Sequence, residues 1–221
     1  MIITIDGPAG SGKSTVADVL AEELSFIHFN SGALYRAITA YLDDIGFNIE
    51  SITQETEIPN LDLKVRMIDG NQHVYVNGID FTPHLRKNRI SILVAFIGTN
   101  KFCRQIIDEC QRKFCSEHNI VIEGRDVGSH VFPNAEIKFY LDCSIKERAR
   151  RRYLEEKAKN NNITLAQIEE QIEERDNLDK TRKIAPLVIP KKAIIVDSSN
   201  LSINEVVQTM KNHINSKLKS I

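Results

Sequence analysis

The chain has 221 residues, 42% of them hydrophobic and 27% charged, with a formal net charge of −1. That is enough chain for one sizeable folded core. It excludes a disordered polymer and any protein drawn to nucleic acid or membrane by overall charge, so an acidic ligand must be met by locally gathered Arg and Lys.

The first element is Met1-Ile2-Ile3-Thr4-Ile5, short, apolar and β-branched, as a buried strand should be. Gly7-Pro8-Ala9-Gly10-Ser11-Gly12-Lys13-Ser14 follows it and fits GxxxxGK[ST] at every fixed position, with Thr15 next. Val16, Ala17, Leu20, Ala21 and Leu24 then recur at helical spacing. A glycine-rich turn alone is weak evidence, but this one lies between a strand and a helix, the setting a P-loop requires. The glycines let several backbone N–H groups turn toward one anion, and the helix adds its positive end. Lys13 can reach the β and γ phosphates as a mobile point charge, and the hydroxyl of Ser14 suits Mg²⁺. A nucleoside triphosphate with Mg²⁺ is the expected ligand.

Phe26 to Phe29 reads as a second strand and Ser31 as the cap of a helix over Ala33 to Ile45, stopped by Gly46. Ser31-Gly32-Ala33-Leu34-Tyr35-Arg36 puts Tyr35 and Arg36 in its first turns. Residues 48–61 are polar, carry Pro59 and form a weakly determined connection. From Leu63 to Phe81 the period changes to two, with turns expected at Gly70-Asn71 and Asn77-Gly78, so a small β subdomain interrupts the helices and strands. Arg89 to Ile97 and Lys101 to Cys115 read as helices.

Ile120 to Ile122 is a buried strand followed by Gly124-Arg125-Asp126-Val127-Gly128. Two charges directly after a buried strand mark a place where a purely structural role would favour apolar residues. Ile137 to Leu141 is the next strand, and Ser144 caps a basic helix to about Lys159 that carries Arg148, Arg150, Arg151 and Arg152. Asn160 to Asn162 breaks it, and Thr164 begins another helix. There Arg175, Asp179 and Arg182 share one face through i, i+4 and i, i+7 spacing. Pro186 and Pro190 mark a loop, Ala193 to Val196 the last strand and Ile203 to Leu218 the closing helix. Strands alternating with helices imply a three-layer α/β fold on a parallel sheet, whose ligands bind beyond the strands' carboxyl ends.

Cys103, Cys110, Cys115 and Cys143 form no CxxC pair and read as reduced core thiols, which points to a cytoplasmic protein. No apolar run reaches transmembrane length, the first strand starts at Met1 with no room for a signal peptide, and the six histidines show no HxH or HExxH spacing. A GTPase is a poor fit: Asp43-Asp44-Ile45-Gly46 falls at a helix end, and Asn100-Lys101-Phe102-Cys103 lacks the final Asp that reads guanine. A kinase for another small acceptor, such as shikimate or a purine monophosphate, and an RNA-binding module using the basic helix are the other rivals.

The chain resembles the bacterial cytidylate kinase family over nearly its whole length. The resemblance rests on Thr4 to Thr15, on Ser31 to Arg36, and on Glu123 to Gly128 with Val131-Phe132-Pro133. It continues through Glu147 to Arg152, Arg175-Asp176 to Arg182, Ala185-Pro186-Leu187 and Val196-Asp197-Ser198, with the β insert around Asn77 to Asp80. It implies a P-loop kinase fold with a central parallel sheet, a small β-rich monophosphate-binding insert and a helical lid. The core would occupy about 1–60, 90–145 and 184–221, the insert about 61–89 and the lid about 146–183 of one kinase domain. It implies phosphoryl transfer from ATP to CMP or dCMP. Weaker use of UMP, a monomer, and no binding of nucleic acid or membrane are further expectations. Residues 7–15 would hold ATP. Ser31, Tyr35, Arg36, Arg104, Arg125, Asp126, Arg175, Asp179 and Arg182 would hold the monophosphate, and Lys13, Arg36, Arg125 and Arg182 would be catalytic. Arg148, Arg151 and Arg152 would close as a lid over the donor. Two positions depart from the family pattern: Ala95 where a serine near the base is usual, and Leu178 where some members have an arginine.

Overall fold

The computed structural model describes residues 1–158 and 163–218. In chain order the elements are β1 (Ile2–Asp6), α1 (Lys13–Leu24), β2 (Ile27–Asn30), α2 (Ser31–Asp44), β3 (Leu63–Ile68), β4 (Asn71–Val76) and β5 (Ile79–Asp80). They continue with α3 (Asn88–Ile97), α4 (Lys101–Cys115), β6 (Ile120–Gly124), β7 (Ile137–Asp142), α5 (Ile145–Ala158), α6 (Leu165–Thr181), β8 (Ile194–Asp197) and α7 (Ile203–Leu218). The expected helix end at Lys159 and the break at Asn160 to Asn162 lie outside the described residues.

The chain divides into two compact units, Met1–Phe26 with Val121–Ile221, and Ile27–Ile120. The larger sheet has five strands, and the four carried by the first unit run in the order β6-β1-β7-β8. β1 and β7 are parallel, with Ile3 opposite Ile137 and Ile5 opposite Phe139, and β7 and β8 are parallel too. Helices α1 and α7 cover this sheet. Val16, Leu20, Val207 and Met210 join Ile5 and Phe139 in one buried cluster, each 3% exposed or less. Burial of a side chain of this size stabilises the fold by roughly 1.5–3 kcal/mol. Ala149, Ile168 and Ile172 form a second cluster where α5 meets α6. The carboxyl ends of β1, β6, β7 and β8 are Asp6, Gly124, Asp142 and Asp197. The glycine-rich loop, the Arg125 loop, Ser144 and Ser198 all follow directly from them.

In the second unit, β3-β4-β5 form an antiparallel three-stranded sheet. Asn77 and Gly78 both have positive φ (51° and 80°), the geometry an Asn-Gly hairpin turn adopts. The other turn lies at Asp69-Gly70 (φ 50° and 76°), one residue before the expected place, and Asn71 already belongs to β4. The cap of α2 is also one residue earlier than expected. Asn30, not Ser31, has the extended conformation, and its side chain accepts from the N–H of Ala33. Both Asn and Ser suit a cap, and the extent of β2 decides between them.

Candidate active site

The first unit holds the glycine-rich loop at the carboxyl end of β1. Gly7 is obligatory there: a Cβ at this position would lie 2.2 Å from the carbonyl oxygen of Leu141. The loop wraps its own lysine. Lys13 is 4% exposed, and its ammonium donates to the carbonyl of Pro8 (2.6 Å) and to Ser11 Oγ (3.4 Å). Burial, reinforced by the Arg125 charge, pushes the Lys13 ammonium down to about 7, against the pull of Glu123, Asp6 and Asp179. A site that confines a cation in this way gains most from a polyanion. Ser14 stands exposed in the first turn of α1.

The loop is anchored from outside. Arg148, 3% exposed, donates to the carbonyl of Ala9 (2.9 Å) and through Nε to the carbonyl of Cys143 (2.9 Å). Its two terminal nitrogens reach the two oxygens of Asp176 at 3.2 and 2.6 Å, a bidentate pair between α5 and α6. Ser198 Oγ donates to the carbonyls of Ser11 (3.2 Å) and Asp142 (3.0 Å). Among the arginines expected to form a lid, Arg148 therefore faces inward and holds loop backbone. Arg151, half-buried, donates to Glu147 and to the carbonyl of Ser198, while Arg152 is exposed. Arg150 pairs with Glu147 on the helix surface.

Beyond β6 the charges following the strand form a cluster. Arg125 donates to Asp179 Oδ2 (3.0 Å), Arg175 lies 3.5 Å from the same oxygen, and Arg182 lies 3.1 Å from Asp126 and 4.0 Å from Asp179. The α6 face expected from spacing is real, although α6 ends at Thr181 and Arg182 has left the helix, donating to the carbonyl of Ala185 (2.7 Å). Burial alone would push the Asp179 carboxyl up; Arg125, Arg175 and Arg182 outweigh it and hold that carboxyl below its ordinary value. Three guanidinium groups face two carboxylates, an excess of cation suited to a phosphate.

Asp6 lies at the carboxyl end of a strand, where ligands of such sheets bind. It is fully buried at the end of β1 and accepts from the N–H groups of Val127 (2.8 Å) and Gly128 (2.7 Å). Burial pushes its carboxyl up to about 7, with both N–H groups pulling the other way. The available signal was a carboxylate in the last position of an otherwise apolar strand.

The second unit holds Ser31, Tyr35, Arg36 and Arg104. Ser31 (5% exposed) opens α2, and Tyr35 and Arg36 follow half-buried on its first turns. Arg104, 2% exposed on α4, donates to the carbonyl of Gly98 (3.3 Å), and its guanidinium lies 5.7 Å from the Tyr35 ring centre. The backbone just before Ser31 is clamped by the β insert: Gln72 accepts from the N–H of Asn30 (2.7 Å) and donates to its carbonyl (3.1 Å). Asn100 caps α4 and donates to the carbonyls of Thr53 and Thr56, a structural use of the residue a guanine site would need.

A family model for cytidylate kinase matches residues 3–216. The chain belongs to the cytidylate kinase family. A cytidylate kinase of Thermotoga neapolitana is 38% identical over 218 residues, which cover 99% of this chain and 98% of that one. A cytidylate kinase of Pediococcus pentosaceus is 40% identical over 207 residues, covering 93% of this chain and 91% of that one. Among solved structures, shikimate kinase from Acinetobacter baumannii in complex with shikimate is similar at a TM-score of 0.50 and 16% identity, covering 97% of this chain and 93% of that one. That likeness shows a shared kinase fold. As a family member the chain is an enzyme, a cytidylate kinase-type phosphotransferase that uses ATP.

Proposed function

We propose that the enzyme transfers the γ-phosphoryl group of ATP to CMP or dCMP through residues 7–15 on the donor and a set of arginines on the acceptor. Membership of the cytidylate kinase family over residues 3–216 is the observation that carries the substrate class. The acceptor is a phosphate oxygen, already anionic at neutral pH, so no general base is needed. The difficulty is bringing two polyanions into line, and catalysis is positioning and charge stabilisation.

Lys13 and the loop N–H groups grip the donor phosphates. Arg36 and Arg125 fork onto the acceptor phosphate, with Arg175 and Arg182 beside Arg125. A charge-assisted hydrogen bond is worth roughly 1.5–3 kcal/mol net, so several are needed against the repulsion. Asp126 and Arg104 read the base. A carboxylate accepts from the amino group of cytosine and opposes the O4 oxygen of uracil, so UMP is the weaker substrate. Asp179 receives a ribose hydroxyl, with Ser31 and Tyr35 lining the same ligand. Arg151 and Arg152 close over the donor and exclude water, and Arg148 supports them by holding the loop.

Among the described residues no three His, Cys, Asp or Glu side chains are grouped to cage a metal. The exposed Ser14 hydroxyl beside the loop suits Mg²⁺, which takes oxygen ligands and keeps its own water and phosphate ligands. Ser14 would hold the ion, and the ion would neutralise phosphate charge. Among the described residues no single helix is long and apolar enough to cross a membrane, and we place the enzyme in the cytoplasm as a monomer that binds no nucleic acid. The core, insert and lid divide at about 61–89 and 146–183. Lys13→Ala tests the donor assignment: turnover should vanish while CMP binding by calorimetry persists. Retained turnover would remove Lys13 from the donor site.

A further inference from the structure

The chain places a carboxylate where a buried strand should end in an apolar residue. Asp6 is 0% exposed, and its two oxygens are divided between two consecutive main-chain donors, Val127 N–H at 2.8 Å and Gly128 N–H at 2.7 Å. The carboxylate lies in sequence directly before the donor loop, and its partners directly follow Arg125 and Asp126. We propose that Asp6 is a positioning residue for phosphoryl transfer, a latch that fixes the loop carrying Arg125 and Asp126 to the strand that carries the donor loop. This rests on the assignment of Arg125 and Asp126 to the acceptor.

Three features point to a latch rather than a chance contact. The turn over Val127–Val131 is tightened by its own bonds, with His130 N–H (2.8 Å) and Val131 N–H (3.2 Å) both donating to the Asp126 carbonyl. Asp6 thus fastens a pre-formed unit and sets where the whole turn sits. Gly128 is cut to the shape of this contact: a Cβ there would lie 2.5 Å from Thr4 Oγ1 and 3.0 Å from Asp6 Oδ2. Finally, burying a carboxyl group is costly even when it is hydrogen-bonded, and here the cost is offset by two buried main-chain N–H groups that an apolar residue would leave without an acceptor. A small misplacement of a positioning group costs a reaction of this kind as much as about 100-fold in rate.

The test is a set of variants read by steady-state kinetics, calorimetry and amide hydrogen exchange. Asp6→Asn keeps the shape but turns an NH₂ toward one of the two donors. Its kcat/KM for CMP should fall about 10- to 100-fold, while the Kd for ATP measured without CMP stays within about 2-fold. The amides of Val127 and Gly128 should lose protection, and Gly128→Ala should copy the kinetic split. Thr4→Val, which changes the side chain beside Gly128 but removes neither Asp6 hydrogen bond, should leave the kinetics unchanged. Asp6→Asn placed on Arg125→Ala should add little further loss, because both act through one loop. Full additivity of the two losses, or unchanged kcat/KM in Asp6→Asn, would overturn the latch while leaving the acceptor assignment standing. Wild-type kinetics in both Arg125→Ala and Asp126→Ala would overturn the acceptor assignment and the latch with it.

Discussion

The Arg148–Asp176 pair gives the sharpest stability prediction. Both residues are buried, at 3% and 4% exposure, and their bidentate contact at 3.2 and 2.6 Å joins α5 to α6 while the same guanidinium donates to the Ala9 and Cys143 carbonyls. Asp176→Ala leaves the guanidinium buried with carbonyl partners only. Breaking a buried pair from one side costs about 3–5 kcal/mol. For a chain of this length each kcal/mol lowers Tm by about 2–4 °C, so the fall should be roughly 6–20 °C by circular dichroism. The paired replacement Arg148→Met with Asp176→Leu should recover most of that loss, because apolar groups of similar volume replace a buried ion pair at little or no cost. It should not recover the Kd for ATP, since the Ala9 carbonyl has lost its donor. A Tm shift under about 2 °C in Asp176→Ala would refute the claim that this pair anchors the loop.

Asp126→Ala should narrow the CMP-to-UMP ratio of kcat/KM; an unchanged ratio would mean that another group reads the base. Burial pushes Cys103 and Cys115 up to about 12 and Cys110 up to about 11. At pH 8 their thiolate fractions are then below about one in a thousand, and alkylation should become fast only when the chain unfolds. Fast labelling of the native enzyme at any of the three would contradict their placement.

Much of this architecture is legible in local sequence. Lys101–Cys115 and Ile203–Leu218 fall where the hydrophobic period predicts them, and Thr164 caps α6 in a reciprocal box with Gln167. Local signals repeat every few residues and need no distant partner. The shifts at Asn30 and Asp69-Gly70 are of one residue, where two neighbouring residue types both suit the role. What stayed hidden is non-local. Arg148 looks like any member of a basic helix until Asp176, 28 positions away, is brought against it. The same holds for Asp6 and Gly128, separated by 122 positions. Spacing gave the helical face of Arg175 and Asp179 but could not show that Arg125 would reach the same carboxylate.

The most direct measurement is ADP release from ATP with CMP, dCMP, UMP, AMP and shikimate supplied in turn to the purified enzyme. CMP and dCMP should give the highest kcat/KM, UMP a lower one, and AMP and shikimate none above background. Equal or greater turnover with AMP or shikimate would contradict the assignment.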